Sequence, residues 1–199
     1  MRSPKLRQMI MAAVFGAVAF VLMYFSFSVP ILSPFAEFDA SPLPEIIGGF
    51  VLGPVGTVAI VVVKLLLKLL MKGTSTMLTG ELSNLLLSLA YALPAVLYYR
   101  RHRTKTGALV GLVIGTACEV VMGVLTNLYI VFPLYINLYD MSWDAIVSMC
   151  SAVNPWIKDV PTMIAFSVVP FNLVSRGVIS VVTMMVYKKL SVPLKKLIQ

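Results

Sequence analysis

QMIMAAVFGAVAFVLMYFSFSVPILSPFA, residues 8–36, is a run of 29 residues without one charged side chain. Three further uncharged runs follow it, with 18 residues at 46–63, 18 at 82–99 and 20 at 120–139. A helix needs about 20 apolar residues to cross the hydrocarbon core of a bilayer. Segments inside lipid must be helical because lipid satisfies no backbone polar group. The sequence therefore predicts an all-α, polytopic membrane protein.

The composition agrees with this fold class. Of the 199 residues, 59% are hydrophobic and 12% are charged, and a soluble domain carries about twice that charge. The first apolar run is too long for the hydrophobic part of a cleavable signal peptide. We expect one integral-membrane domain that covers residues 1–199.

The positive charge is distributed as in a membrane protein with a fixed orientation. The net charge is +8, and eleven of the sixteen basic residues fall in three short clusters. These are Arg2, Lys5 and Arg7; Arg100, Arg101, Arg103 and Lys105; and Lys188, Lys189, Lys195 and Lys196. The positive-inside rule places all three clusters in the cytoplasm. Short clusters at helix ends do not predict nucleic-acid binding.

The number of spans depends on Gly53-Pro54. If residues 46–71 formed one span, the Arg100 cluster would lie on the opposite side from the N-terminus. A proline after a glycine can divide a helix in two, which restores the order of the charges. We therefore predict six transmembrane helices with both termini in the cytoplasm. Their approximate ranges are 6–28, 43–52, 55–71, 79–98, 106–129 and 160–187.

A group of polar side chains lies towards the predicted external ends of these helices. The polar stretch GTSTMLTGELSN, residues 73–84, ends with Glu81 and Asn84, and the other members of the group are Asn127 and Asn172. An asparagine offers a donor and an acceptor together, which suits a neutral, hydroxyl-rich ligand. The aromatic residues of the external connection 132–159 are interpreted either as an interfacial belt or as a cover for a planar ring.

Ionisable groups inside the spans need partners. Lys64 and Glu119 lie deep in predicted helices, where an unpaired charge is costly. Lys64 needs either a partner or a water-filled cavity, and Glu81 and Glu119 are left open as possible partners. We expect Glu119 to pair with a basic residue of another span. Arg176 should face protein or water.

Small residues indicate close helix packing. In the first span, Ala13 with Ala17 and Ala12 with Gly16 have small-xxx-small spacing. Two uses remain open for this face, packing within the protein or docking of a separate membrane subunit. In the fifth span, Gly111 and Gly115 have the same spacing.

Motifs for common enzyme chemistry are absent from the sequence. There is no P-loop, HExxH or GxSxG motif. The one histidine, His102, lies among arginines, and Cys118 and Cys150 are far apart. The sequence predicts neither an enzyme nor a metal site.

Together with these features, several stretches of the chain resemble the riboflavin-binding S components of energy-coupling factor (ECF) vitamin transporters. The resemblance extends over nearly the whole chain. It is carried by FDASPLPEIIGGFVLGPVG at 38–56, Lys64, GTSTMLTGELSNLL at 73–86, GALVGLVIGT at 107–116, NLYIVFPLY at 127–135 and PFNLVSRGVISVVT at 170–183.

The resemblance implies a function and partners. Such proteins have six spans, lie in the bacterial plasma membrane and bind a vitamin from outside. They work with a transmembrane coupling subunit and two ATP-binding-cassette ATPases, and are thought to topple in the membrane to release the ligand. By resemblance, Ala13 and Ala17, and with them Ala12 and Gly16, contact the coupling subunit. The transported ligand is riboflavin, with FMN left open, and no cofactor is implied.

The resemblance also implies ligand contacts. Glu81, Asn127 and Asn172 should bond the flavin edge or its ribityl chain. The family usually has a lysine three residues after the asparagine of PFN, and here that position is Ser175. The complete candidate set is Glu81, Asn84, Asn127, Asn172, Ser175, Lys64, Asp39 and Thr79. Two alternatives stay open, an S component for another vitamin such as folate or pantothenate, and a structural or assembly membrane protein.

Overall fold

A computed structural model describes residues 4–30, 37–74 and 77–198 of the chain. Nearly all regular structure in these ranges is helical. The elements are α1 Pro4–Tyr24, β1 Phe27–Ser28, β2 Glu37–Phe38, α2 Pro42–Leu52, α3 Pro54–Lys72, α4 Thr79–Arg101, α5 Lys105–Thr126, α6 Phe132–Tyr139, α7 Trp143–Ser151, α8 Val160–Met163 and α9 Val169–Ile198. Two π-helical segments, Asn127–Val131 and Ile164–Val168, join α5 to α6 and α8 to α9.

The predicted break at Gly53-Pro54 is confirmed. Gly53 adopts φ +86°, a conformation that glycine reaches without steric cost, and Pro54 begins α3. A Cβ atom on Gly53 would lie 3.1 Å from Nη1 of Arg100. The chain therefore reverses direction beside the C-terminal end of α4.

Helix α2 lies inside the bundle although it has only 11 residues. It packs against α1, α3, α4 and α9, and eight of its residues are buried. Near its C-terminal end, the ring centroid of Phe50 lies 4.3 Å from that of Tyr99. The hydroxyl groups of Tyr99 and Tyr187 are hydrogen-bonded at 2.6 Å. These three aromatic side chains close the bundle at its Arg100 end.

Five helical stretches in the described ranges are long and apolar enough to cross a membrane: Lys5–Tyr24, Pro54–Lys72, Thr79–Arg101, Lys105–Leu138 and Val160–Tyr187. The predicted second span, α2, is a shorter apolar helix. The described ranges thus hold the helices of a membrane protein, with five long apolar stretches and the shorter apolar helix α2.

The connection expected at 132–159 is more ordered than the sequence indicated. The fifth helical stretch runs on through the π-helical segment into α6, and α7 follows. Phe132, Ile146, Cys150, Ile157 and Met163 form a separate small core there. A helical cap therefore replaces the predicted loop. Some residues of two connections lie outside the described residues. They are residues 31–36, in the connection between the first and second predicted spans, and Ser75 and Thr76 of the polar stretch 73–84.

The small-residue spacing of the fifth span is used for close packing between α4 and α5. A Cβ atom on Gly111 would lie 2.7 Å from the carbonyl oxygen of Ala95, and one on Gly115 would overlap the carbonyl oxygen of Tyr91. The backbones approach so closely that only glycine fits at these positions.

We expect Gly115→Ala to lower the stability of the folded protein by about 1–3 kcal/mol, because the added methyl group forces two backbones apart. Thermal unfolding in detergent micelles measures this effect. Gly177→Ala in α9 is the matched control, since no atom lies within 4 Å of a Cβ added there. Equal melting temperatures for the two variants would contradict the prediction.

Candidate functional site

A cavity of about 410 Å³ lies at the end of the bundle opposite Arg100. It is enclosed by the C-terminal ends of α1 and α3, the N-terminal end of α4, the first π-helical segment, α6 and the first turns of α9. Its polar lining residues include Ser26, Glu37, Asp39, Lys68, Lys72, Thr79, Ser83, Asn84, Asn127, Asn172, Ser175 and Arg176.

Six of the eight candidate ligand-binding residues line this cavity. They are Asp39, Thr79, Asn84, Asn127, Asn172 and Ser175. Lys64 and Glu81 are not among the lining residues. The structure therefore brings together polar groups from the connection after β2, from α4, from the first π-helical segment and from α9. These groups are up to 136 positions apart in the sequence, from 39 to 175.

Asn127 and Asn172 are held by backbone carbonyl groups. Nδ2 of Asn127 donates to the carbonyl oxygen of Gly123 at 2.8 Å, and Nδ2 of Asn172 donates to that of Val168 at 2.8 Å. Val168 ends the second π-helical segment, and Asn127 begins the first. Wider helical turns of this kind are frequent at functional sites. No pattern in the sequence predicted these two π-helical segments.

Gly123 is close to the side chains of both asparagines, because its carbonyl oxygen accepts from Asn127 and the amide of Asn172 packs against its Cα. A Cβ atom at Gly123 would lie 2.6 Å from Nδ2 of Asn172, so any larger residue would displace that amide. The sequence analysis missed Gly123, which supports the site without lining the cavity, and its position four residues before Asn127 was the available signal.

Lys64 lies below the cavity in a buried polar cluster. Its Nζ atom is 2.5 Å from Oε1 of Glu45 and donates to Oδ1 of Asn84 at 2.6 Å. It also contacts Ser41 at 3.2 Å and Ser88 at 3.1 Å. The expected partners, Glu81 and Glu119, were wrong. The acid is Glu45 of α2. Among the side chains that contact Nζ of Lys64 in the described residues, Asn84 is the one that lines the cavity, and the backbone N–H of Ser41 also donates to the cavity residue Asp39 at 2.6 Å.

Glu81 holds the polar connection between α3 and α4. Its carboxylate pairs with Lys68, and its second oxygen accepts a hydrogen bond from Thr74 at 3.0 Å. The hydroxyl oxygen of Thr74 in turn accepts from the backbone N–H of Leu78 at 2.9 Å. Lys68 lines the cavity, so Glu81 acts on the site through Lys68. A direct flavin contact of Glu81 stays a prediction.

Arg176 is a lining residue that the sequence-based set left out. Its Nε atom lies 3.0 Å from Oε1 of Glu119, whose side chain is 0% exposed. The guanidinium carbon lies 5.6 Å from the ring centroid of Tyr91. The expectation that Glu119 pairs with a basic residue of another span is confirmed. Arg176 and Ser175 both reach the cavity.

Apolar and aromatic groups cover the remaining wall. They are Phe20, Met23, Tyr24, Leu87, Val131, Leu134, Tyr135, Val168 and Phe171. Among the aromatic residues expected as a cover, Tyr135 lines the cavity, whereas Trp143 packs on Phe132 and Trp156 lies beside Phe166. A concave site with apolar walls and a few convergent polar groups is typical of small-molecule binding.

Comparison with known proteins gives the family. The profile of the family "ECF transporter, substrate-specific component" matches residues 7–187. The chain belongs to this family. The substrate-specific component described here is a multi-pass membrane protein.

Individual relatives agree with the profile over the whole length. This substrate-specific component is 26% identical over 191 residues to the riboflavin transporter RibU of Staphylococcus aureus (strain TCH60), which covers 96% of this chain and 94% of the relative. It is 24% identical over 189 residues to the riboflavin transporter FmnP of Bacillus subtilis (strain 168), covering 94% and 93%.

A solved structure shares the fold. It is described as the S component of a bacterial ECF transporter, and it superposes with a TM-score of 0.74 at 26% identity. The match covers 96% of this chain and 99% of the other. The helical arrangement around the cavity is thus the arrangement of a known substrate-specific component.

The two small-residue pairs of α1 in this substrate-specific component have different surroundings. Ala12 and Gly16 are buried, and a Cβ atom on Gly16 would lie 2.6 Å from Cγ1 of Val63 in α3. Ala13 and Ala17 are exposed on the outer surface of the bundle. Ala12 and Gly16 therefore serve packing within the protein. Docking of a separate membrane subunit stays a prediction, for which Ala13 and Ala17 are the exposed pair.

Proposed function

We propose that this chain is the riboflavin-binding substrate-specificity subunit of an ECF-type uptake transporter. The observation that carries the proposal is the 410 Å³ cavity, in which three asparagines, a serine and an arginine converge against aromatic and aliphatic walls. Cavities of about 300–1,000 Å³ enclose ligands of drug-like size. Riboflavin offers an apolar ring system with a polar edge and a hydroxyl-rich chain, and two full-length relatives are named riboflavin transporters.

We further propose six crossings with both termini in the cytoplasm. The cavity is lined by Tyr24, Lys72 and Thr79 at one end of the bundle, while Gly53 and Arg100 meet at the other. The short helix α2 therefore returns the chain to the Arg100 end before α3 goes back. The positive-inside rule makes the Arg100 end cytoplasmic, so the cavity opens to the outside.

Partner subunits supply the energy in this proposal. A transmembrane coupling subunit docks on the exposed face of α1 that carries Ala13 and Ala17, where small residues permit close approach. Two ATP-binding-cassette ATPases hydrolyse ATP, for which this chain has no P-loop. The substrate-specific component itself binds and presents the vitamin.

Ligand binding by the purified protein tests the proposal. We expect saturable quenching of flavin fluorescence with one riboflavin per chain, and FMN, folate and pantothenate serve as competitors. Displacement by folate or pantothenate but not by unlabelled riboflavin would assign the chain to another vitamin. No saturable binding of any of these would favour a structural or assembly role.

The positions of Asn172 and Glu81 predict different effects of their replacement on riboflavin affinity, which the same binding assay measures. Asn172→Leu should weaken riboflavin binding about tenfold or more, since a ligand donor is left without its acceptor. Glu81→Gln should change the affinity less, because Glu81 contacts Lys68 and Thr74 and does not line the cavity. A larger loss for Glu81→Gln than for Asn172→Leu would contradict this arrangement and favour a direct flavin contact.

A further inference from the structure

The three asparagines of the cavity are each held by one end of the amide group. In Asn127 and Asn172 the protein binds the NH₂ group, through carbonyl oxygens of Gly123 and Val168. In Asn84 it binds the oxygen instead, through Nζ of Lys64 at 2.6 Å and the hydroxyl group of Ser88 at 3.4 Å. The opposite end of each amide has no hydrogen-bond partner among residues 4–30, 37–74 and 77–198.

These orientations follow from the chemistry of the neighbours. A flipped Asn84 would place its NH₂ group against an ammonium group, which has donors only. A flipped Asn127 or Asn172 would place an amide oxygen against a carbonyl oxygen. Each flip replaces an attractive contact with a repulsive one, so the protein itself settles which atom of each amide is left for a ligand.

Lys64 is held firmly enough to impose this orientation. Its side chain and that of Glu45 are both 0% exposed and lie 2.5 Å apart. Ser41 and Ser88, which are also buried, accept hydrogen bonds from the same Nζ atom. The ammonium group thus has four fixed partners, and Asn84 is the one that lines the cavity.

We propose that Lys64 is a positioning residue that fixes the hydrogen-bonding polarity of the cavity through Asn84. Asn84 donates an N–H to a carbonyl oxygen or ring nitrogen of the ligand. Asn127 and Asn172 accept from its N–H or O–H groups. The inference rests on the proposed function, since riboflavin carries acceptors on its ring edge and donors in its imide and ribityl groups.

Isosteric replacement of Asn84 tests the donor assignment. Asn84→Asp keeps an oxygen for Lys64 and removes the N–H that faces the ligand. We expect the dissociation constant for riboflavin to rise about tenfold or more at near-neutral pH, with the melting temperature of the ligand-free protein retained. Asn84→Leu, which removes both ends of the amide, should weaken binding to a similar extent. Binding by Asn84→Asp within about threefold of the unchanged protein would overturn the proposal.

A double-mutant cycle tests the role of Lys64. The neutral pair Lys64→Met/Glu45→Gln frees the Asn84 amide without leaving a buried charge, and it should weaken riboflavin binding about threefold or more in the unchanged background. In the Asn84→Leu background the same pair should cause no further loss, because its effect passes through Asn84. Equal losses in both backgrounds would overturn the proposal and leave Lys64 with a structural role only.

These experiments distinguish a wrong ligand from a wrong role of Asn84 and Lys64. If the unchanged protein does not bind riboflavin, the proposed function is wrong and this inference falls with it. If the unchanged protein binds riboflavin while Asn84→Asp binds it equally well, only the inference is overturned.

Discussion

Lys64→Met is expected to destabilise the protein by about 3–5 kcal/mol, because it leaves the carboxylate of Glu45 buried without its counter-charge. Lys64 and Glu45 are both fully buried and in contact. This loss is a large part of the total stability of a protein, which is only about 5–15 kcal/mol. Thermal unfolding in detergent and the yield of folded protein from membranes measure it.

Two variants control for this prediction. Lys72→Met removes a lysine from the exposed end of the same helix, where its ammonium group lies 5.7 Å from the ring centroid of Tyr24, and should have little effect on stability. Lys64→Met/Glu45→Gln should recover most of the lost stability, since no buried charge remains unpaired. If the single and double variants were equally unstable, the buried pair would not be the cause.

Glu119→Leu is the second change with a large expected effect. The carboxylate of Glu119 is fully buried in α5 and lies 3.0 Å from Nε of Arg176. Removing it leaves the guanidinium group of Arg176, which lies beside the ring of Tyr91, without an ion-pair partner among the described residues, and we expect a loss of about 3–5 kcal/mol. The melting temperature of the ligand-free protein is the measurement.

The rescue of Glu119→Leu separates stability from binding. Glu119→Leu/Arg176→Met should restore the melting temperature, because both charges are gone. Riboflavin affinity should stay reduced, because Arg176 lines the cavity. A double variant with normal stability and normal affinity would show that Arg176 makes no ligand contact.

Features fixed by local chemistry were predictable from the sequence. The uncharged runs gave the helical membrane fold, and Gly53-Pro54 gave the division between α2 and α3 because a proline cannot continue the preceding helix. The spacing of Gly111 and Gly115 gave the close contact of α4 with α5. Asn84, Asn127 and Asn172 lie inside predicted spans and line the cavity, as expected for costly polar groups, which usually face a protein interior. Asp39, Thr79 and Ser175 were included by resemblance to the family.

Features that depend on tertiary contacts were not predictable. Glu45 lies in the first turn of α2, a few residues after Glu37 and Asp39, so its place in the sequence did not indicate a partner inside the bundle. Only the insertion of α2 between four other helices brings it to Lys64. The orientation of the Asn84 amide likewise depends on Lys64, a neighbour distant in sequence. Local sequence patterns carry no information on such contacts, and they did not indicate the π-helical segments either.

The aromatic closure by Phe50, Tyr99 and Tyr187 has a consequence for transport. In the described part of the chain, Lys64 and Glu45 and then these rings lie between the cavity and the Arg100 end of the bundle. A ligand that left the cavity towards that end would have to pass these packed side chains. We therefore expect release on that side to require either a rearrangement of these side chains or a movement of the whole molecule relative to the lipid.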